Sequence, residues 1–254
     1  MMLKLCVLML CVPAALGLAQ NRRTEDFSTA AGPVRLTPIG HASLLLEAGG
    51  KEVYVDPVMG SYDGLPKADL ILITHDHPDH LNADRIKQLR KDSTVILAPQ
   101  SVVAAVPGVQ VMQNGDSRTW DKWTIEAVPA YNLKRGPAPG VLFHPQGHGN
   151  GYVLSYGGKR FYISGDTEAT PEMAALKNID VAFVCMNLPY TMTPDEAAAA
   201  VKAFKPKIVI PYHYRGTDLT VFQKDLEGSG IEVQLFDWYA GMQEGGAPAS
   251  GPRH

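Results

Sequence analysis

The stretch Thr74–His80 reads THDHPDH and places three histidines and two aspartates within seven positions. It follows Ala68–Ile73 (ADLILI), an apolar run that predicts a strand covered on both faces. A loop that leaves a strand end can turn alternate side chains toward one point, and imidazole and carboxylate groups suit zinc, manganese or iron. The stretch therefore predicts a metal site whose ligands are His75, His77, Asp79 and His80. A set of surface histidines with Asp79 as a helix cap is the alternative, and it is disfavoured by how densely these groups are packed at one strand end.

Two other strand-like segments end on metal-binding residue types. Asp166 follows RFYISG beside Gly165, where a carboxylate could bridge two metals, and His213 follows KIVIPY. Both segments are apolar, as expected for strands. Together with the first stretch they predict a two-metal site assembled from three loops that are far apart in the chain.

These residues resemble the ligand pattern of the metallo-β-lactamase-fold hydrolase superfamily. Within it, the segments GHASLLLE, YVDP and YTMTPDEAAAAVKAFKPKIVIPYHY are similar to the branch of ascorbate-6-phosphate lactonase-like and N-acylphosphatidylethanolamine phospholipase D-like proteins. The resemblance implies an α/β fold, a four-layer αββα sandwich with the metals at one edge of the paired sheets. It also implies that His75 and His77 bind the first metal, that Asp79, His80 and His213 bind the second, and that Asp166 bridges them.

The third histidine of the first metal is not in the position that the family pattern suggests. Asn132 stands where that histidine is expected, and an amide is a poor ligand for a zinc-like ion. We favour His144 as the ligand because it follows the apolar segment GVLF, which could hold it firmly. His148 is the alternative, although the glycines around it provide little rigidity.

The predicted chemistry is hydrolysis of a small-molecule ester, lactone or phosphodiester by a hydroxide held between two divalent ions. Zinc is the expected metal, with manganese or iron as alternatives. Asp79 would orient the hydroxide and accept its proton, and Asp166 would hold both ions. A non-catalytic metal-binding module is the alternative function. A β-lactam hydrolase is disfavoured because the Asp166 bridge resembles thioesterases, lactonases and phosphodiesterases.

Other residues are candidates for roles around the metals. His41, in GHASLLLE, and Tyr190, in LPYTM, are candidates for contacting the substrate or for supporting a ligand. Lys134 and Arg135 lie in a loop rich in glycine and proline. They could attract an anionic substrate, although solvated basic residues are the more common reading.

Composition and termini limit the class of protein. The 254 residues are 45% hydrophobic and carry a formal charge of −3, which gives no reason to expect a nucleic-acid partner. Residues 1–19 have the layout of a secretory signal peptide, which predicts a periplasmic or secreted protein without a stable membrane span after cleavage; an uncleaved anchor is the alternative. We assign residues 33–240 to one hydrolase domain and residues 241–254 to a disordered tail. The oligomeric state is not predicted.

Local patterns predict the secondary structure. Glycine pairs at 49–50 and 157–158 predict two hairpins, and residues 20–32 read as an irregular lead-in. Helices are expected over 81–92, with Asn82 as the cap, and over 193–204, where Thr193 is the cap and Pro194 the first helical residue. Strands first and strand–helix alternation later indicate two mixed sheets with helices outside.

Overall fold

The structure is a computed structural model that describes residues 23–240 and residue 242. Within these residues, fourteen strands form two sheets of seven, and in each sheet the spatial order of the strands follows the chain. The first sheet contains β1 (Glu25–Phe27), β2 (Val34–Gly40), β3 (Ser43–Ala48), β4 (Lys51–Val55), β5 (Ala68–Leu72), β6 (Arg90–Ala98) and β7 (Gln110–Val111). The second contains β8 (Ser117–Trp120), β9 (Trp123–Ala130), β10 (Gly149–Tyr156), β11 (Lys159–Ile163), β12 (Val181–Cys185), β13 (Ile208–Tyr212) and β14 (Glu232–Val233).

Both sheets change from antiparallel to parallel pairing at their fourth strand. In the first sheet β1 to β4 pair antiparallel and β4 to β7 pair parallel. In the second sheet β8 to β11 and β11 to β14 repeat this pattern. Parallel pairing needs crossover connections, so the later part of each sheet is the part that carries helices.

Four α-helices and one 3-10 turn connect these strands. They are α1 (Ala83–Leu89), the turn Gln100–Val102, α2 (Pro171–Ala174), α3 (Pro194–Phe204) and α4 (Thr220–Leu226). The predicted caps are confirmed: the Asn82 side chain accepts from the N–H of Arg85, and Thr193 forms a capping box with Glu196. None of the helices in the described part of the chain has the length and apolar character to span a bilayer.

The inner faces of the sheets pack against each other. Leu44 and Val55 of the first sheet share one apolar core with Leu154 and Phe183 of the second. The outer face of the first sheet packs on α1, where Ile71 of β5 joins a separate apolar cluster that includes residues of the helix. The outer face of the second sheet is covered by helices as well, since Phe204 of α3 contacts Tyr162 of β11 with ring centroids 5.7 Å apart. The four layers are therefore helix, sheet, sheet and helix, as predicted.

Three local predictions were wrong. Residues 25–27 are not an irregular lead-in but form β1, which pairs with β2. The helix after His80 ends at Leu89 instead of Asp92, because Arg90 is extended and pairs with Ala68. The segment IEVQLFD (231–237), whose sequence predicts a last strand, is ordered as a strand only at Glu232–Val233. The proposed signal peptide lies outside the described residues, as does the predicted tail except for residue 242.

Candidate metal centre

The centre lies where loops leave strands of both sheets at one edge. The loop after β5 turns sharply, because the backbone N–H groups of His80 and Leu81 both donate to the carbonyl of His77. This turn brings the side chains of His75, His77 and His80 together: the His75 ring centroid is 4.6 Å from that of His77 and 4.1 Å from that of His80. The dense histidine motif thus forms one cluster.

The other two loops reach the same edge through unusual backbone conformations. Gly165, just before Asp166, has φ +61°, and a Cβ at this position would lie 2.9 Å from the carbonyl oxygen of Asn150. His213 follows β13 with φ 50° and His41 follows β2 with φ 54°, a region that non-glycine residues rarely occupy. The N–H of His213 donates to the carbonyl of His41 over 3.1 Å, which joins the two sheets at the site.

The donor atoms fall into adjacent groups. His75, His77 and His144 form one group in which the candidate ligand atoms all lie within 4.8 Å of one another. In a second group, formed by His41, Asp79 and His213, the candidate ligand atoms also lie within 4.8 Å of one another. The same is true of a third group, formed by His75, His80 and Asp166. One cluster of imidazoles and carboxylates is therefore continuous from His144 to His41.

Asp166 occupies the middle of this cluster. Its Oδ2 lies 3.3 Å from Nε2 of His144, whereas its Oδ1 lies 3.4 Å from Nε2 of His80 and 3.3 Å from Nε2 of His213. Asp79 Oδ2 lies 3.4 Å from the same His213 atom. The two oxygens of one buried carboxylate thus face two different sets of imidazoles.

Several of these buried atoms have no hydrogen-bond partner within the described residues. They are Nε2 of His75, His80 and His144, both ring nitrogens of His213, and Oδ1 of Asp166. Leaving so many buried polar atoms unpaired in one place is costly unless another group satisfies them. The unpaired atoms converge on the space inside the cluster, where a cation would satisfy them.

The spacing of the donors fits such a cation. Two ligand atoms that are each about 2.1 Å from a tetrahedral zinc ion lie about 3.4 Å apart. The nitrogen–oxygen distances around Asp166 are 3.3 to 3.4 Å. The residues therefore fit divalent metal ions both in donor chemistry and in spacing.

The histidines of the cluster differ in the direction in which their surroundings shift the pKa. Burial lowers the pKa of His75 well below its usual value and is also the main cause of the lowered pKa of His77, so both rings are neutral and ready to bind a metal. Burial also disfavours charge on His80, but Asp166 and Asp79 outweigh it and raise its pKa well above the usual value. Burial raises the pKa of both carboxyls, but the neighbouring histidines outweigh it and lower both values well below the usual range.

His80 is oriented by a buried carboxylate. Its Nδ1 lies 2.7 Å from Oδ2 of Asp56, which also accepts from the hydroxyl of Thr74 over 2.7 Å. The other oxygen of Asp56 accepts from the N–H of Thr74 over 2.8 Å. A carboxylate behind Nδ1 fixes the ring with Nε2 facing the metal centre.

His144 is oriented in the same way by an amide. Oδ1 of Asn132 accepts from the backbone N–H of His144 over 2.9 Å and lies 2.6 Å from its Nδ1. The Asn132 amide nitrogen donates to the carbonyl of Tyr190 over 2.8 Å. Asn132 therefore supports the histidine from the position where we expected a ligand.

A directed chain of hydrogen bonds supports Asp79. The N–H of Arg215 donates to the Tyr239 hydroxyl over 2.7 Å, and this hydroxyl lies 2.8 Å from Nδ1 of His41. Nε2 of His41 lies 3.1 Å from Oδ2 of Asp79. Burial lowers the pKa of His41 to about 4, so the ring is neutral, accepts from Tyr239 and donates to Asp79.

Some residues singled out in the sequence lie outside the cluster. His148 belongs to none of the donor groups, and its Nε2 lies 2.7 Å from Oδ1 of Asp76. Tyr190 is 44% exposed and packs edge-on against the ring of Phe143, with ring centroids 5.0 Å apart. Lys134 and Arg135 are paired with acidic side chains, as described below, and not directed at the donors.

The supporting roles of Asp56 and Tyr239 were not predicted. Asp56 carried a signal, since in the segment YVDP it directly follows the apolar residues of a strand. Tyr239 carried none, because nothing local in the segment that follows β14 connects it to His41. Contacts between segments remote in sequence have to be seen in the fold.

Comparison with known proteins gives consistent results. Residues 35–213 match the family model described as the beta-lactamase superfamily domain. A "UPF0173 metal-dependent hydrolase" of Anoxybacillus flavithermus is 30% identical over 236 residues, which cover 80% of this chain and 97% of that protein.

Solved structures agree in fold. A crystal structure of a protein described as a metal-dependent hydrolase from Parabacteroides distasonis is 42% identical, has a TM-score of 0.81 and covers 85% of this chain and 98% of that one. A metallo-β-lactamase-fold protein of Bacillus subtilis is 13% identical and has a TM-score of 0.59, with coverage of 77% and 88%. The latter similarity shows the fold alone, and the fold is the predicted metallo-β-lactamase fold.

Proposed function

This chain belongs to the beta-lactamase superfamily domain family and to the UPF0173 metal-dependent hydrolases, and from this premise we propose that it hydrolyses an ester, lactone or phosphodiester bond in a small molecule with the help of two divalent ions. Zinc is the proposed metal, because nitrogen and carboxylate donors at these spacings suit it. The observation that carries the proposal is the convergence of unpaired Nε2 atoms around the two oxygens of Asp166.

The donor groups support a division of the ligands. His75, His77 and His144 would hold the first ion. Asp79, His80 and His213 would hold the second, and Asp166 would contribute one oxygen to each side. A first site with three histidine ligands favours a catalytic centre over a non-catalytic binding module, and the grouping of His144 with His75 and His77 supports such a site.

The side chains then have separate tasks. The chemistry supplied by such ions is the lowering of a water molecule's pKa and the polarisation of the substrate oxygen. Asp79 is 39% exposed, whereas Asp166 is 4% exposed. Asp79 therefore faces the opening, where its carboxylate can accept a hydrogen bond from the attacking water and orient it, while Asp166 stays a fixed part of the framework.

The test combines metal analysis with a substrate panel. The purified protein should contain about two divalent ions per chain and should hydrolyse at least one of three compounds: a chromogenic phosphodiester, a lactone or the β-lactam nitrocefin. A preference for the lactone would support the lactonase-like branch, and a preference for nitrocefin would support a β-lactam hydrolase instead.

A pair of histidine variants provides the control. His77→Ala should lose at least one ion and about 100-fold or more in activity, because a ligand is removed. His148→Ala should keep both, since His148 contacts Asp76 and not the donor groups. Two bound ions with no turnover on any substrate class would contradict a hydrolytic function and favour the binding module.

A further inference from the structure

Large apolar side chains are exposed beside the metal centre. The described residues contain six exposed large hydrophobic side chains, and four of them, Leu133, Val141, Leu188 and Tyr190, lie on two loops. The first loop runs over 131–148 and carries His144, and the second runs over 186–192. Exposed apolar side chains concentrated in one place mark binding surfaces more often than chance exposure does.

The two loops contact each other and the metal centre. Asn132 donates to the carbonyl of Tyr190 and holds His144 through its amide oxygen. Phe143, directly before His144, packs against Tyr190. We call the five side chains Leu133, Val141, Phe143, Leu188 and Tyr190 the apolar rim. Phe143 and Tyr190 place part of the rim beside His144, and the other three side chains lie on the same two loops.

The charges near the rim are neutralised. Lys134 and Arg135 are the only lysine and arginine residues in the two loops, which contain no acidic residue. Lys134 Nζ lies 2.8 Å from a carboxylate oxygen of Glu196, and Arg135 lies 2.6 Å from the other oxygen of the same residue. Arg135 also pairs closely with Glu168. This end of the site therefore presents apolar surface and no uncompensated cation to a substrate.

The rim is held in place before any ligand binds. The buried carboxylate of Glu168 accepts from the backbone N–H groups of Leu133 over 2.5 Å and of Lys134 over 2.7 Å. These bonds fix the start of the first loop, and Asn132 fixes its distance from the second. Because these side chains are already ordered, they lose less conformational entropy when a ligand packs against them.

We propose that the apolar rim binds the acyl chain of an uncharged ester or lactone whose reactive carbonyl lies at the metal centre. This inference rests on the proposed function and narrows it to carboxylic substrates with an aliphatic chain. A phosphodiester with an aliphatic chain would place its charge at the ions and its chain on the same rim, so hydrolysis of such a diester without hydrolysis of an octanoate ester would overturn the assignment to carboxylic substrates.

Binding tests the inference without turnover. Acetohydroxamate and octanohydroxamate share a metal-binding head and differ in six methylene groups. On the metal-loaded protein, calorimetry should give a dissociation constant about tenfold or more lower for octanohydroxamate, because each buried methylene adds to affinity. Equal dissociation constants would overturn the proposal.

Matched variants show where the alkyl chain of octanohydroxamate binds. Leu188→Ser and Tyr190→Ser should each reduce the octanohydroxamate advantage at least threefold and leave acetohydroxamate binding unchanged. Val221→Ser on α4 is the control, since Val221 is 46% exposed and Tyr190 is 44% exposed. Equal losses in all three variants, or none in the two rim variants, would overturn the proposal.

Turnover separates this inference from the proposed function. If p-nitrophenyl octanoate is hydrolysed with at least tenfold higher kcat/KM than p-nitrophenyl acetate, both the hydrolytic function and the binding of the acyl chain at the rim are supported. If both esters react equally, the rim does not bind the acyl chain even though the enzyme is a hydrolase. If neither ester reacts while the difference between the two hydroxamates persists, binding of the acyl chain at the rim is supported and the hydrolytic proposal fails. A dimer by sedimentation that Tyr190→Ser dissociates would assign the rim to a second copy of the chain and overturn the inference.

Discussion

Tyr239 illustrates how a side chain outside the donor cluster fixes one inside it. Its hydroxyl receives a hydrogen bond from the N–H of Arg215, so its own proton is directed to Nδ1 of His41. This leaves the Nε2 proton of His41 for Asp79. The ring of His41 also lies 3.8 Å, centroid to centroid, from that of His213. One phenol therefore sets the tautomer of His41 and, through it, the position of a carboxylate.

We expect Tyr239→Phe to weaken binding of the second ion about tenfold, because Asp79 loses a firmly oriented donor. The measurement is a metal titration of the metal-free protein followed by calorimetry, which should show one site weakened and the other unchanged.

The matched control for this experiment is Tyr214→Phe. Tyr214 packs against Tyr239 with ring centroids 5.1 Å apart, but its hydroxyl donates to the carbonyl of Phe236 and not to His41. If the two variants bind metal alike, the hydroxyl of Tyr239 does not support the site.

For single residues, the sequence predicted the candidate metal ligands but not the residues that orient those ligands. His75, Asp166 and His213 were recognisable because each follows an apolar strand, where loops converge. Asp56 contacts the ring of His80, which lies 24 positions away, and Asn132 contacts the ring of His144, which lies 12 positions away. Such contacts depend on how loops pack, and no local pattern encodes them.

The loop over 131–148 is an element whose shape depends on one buried acid. Glu168 is 3% exposed and accepts from the N–H groups of Leu133, Lys134 and Arg135. The Arg135 guanidinium pairs with the same carboxylate. Through these bonds Glu168 holds the segment that carries His144, although it lies outside the donor groups.

We expect Glu168→Ala to destabilise the protein by about 3 kcal/mol, because it leaves buried donors and a partly buried guanidinium without their partner. Urea unfolding measures the loss, and hydrogen exchange should show faster exchange at residues 133–135.

Glu172→Ala is the comparison for this prediction, since Glu172 accepts a single hydrogen bond, from the Tyr131 hydroxyl over 3.1 Å. Its cost should stay within about 1 kcal/mol. Similar losses in the two variants would show that Glu168 has no special role in the loop.

Elements with two buried faces were the most predictable. β12 is buried at all five positions and reads as a continuous apolar segment, and the glycine pairs at 49–50 and 157–158 form the predicted turns with positive φ. β1 and β8 were missed because their residues are largely polar, and edge strands need only one apolar face or none.

The whole molecule couples metal binding to pH through His80. In the metal-free protein the surrounding carboxylates keep the His80 ring protonated above its usual pKa, whereas His75 and His77 have lowered pKa values and are neutral. Nδ1 of His80 faces Asp56, so a metal ion has to displace the proton from Nε2. Metal affinity should therefore fall as the pH falls and rise as the pH rises toward the raised pKa of His80.

We expect zinc binding at pH 7 to release one proton from His80, in addition to the proton lost by metal-bound water. Calorimetry in two buffers with different ionisation enthalpies counts the protons. His80→Gln should release about one proton fewer than the wild type, whereas His77→Ala should keep the proton that comes from His80. If wild-type protein releases no proton at pH 7, His80 is not the protonated ligand that its surroundings indicate.

The order of the strands has a consequence for how the molecule could be divided. The chain completes one sheet before it begins the other, and the two are joined by the short connection 112–116. His41 and the THDHPDH loop lie before this connection, and His144, Asp166 and His213 lie after it. A polypeptide nicked there would yield two fragments, neither with a full set of donors, so recovered catalysis on mixing them would report their reassociation.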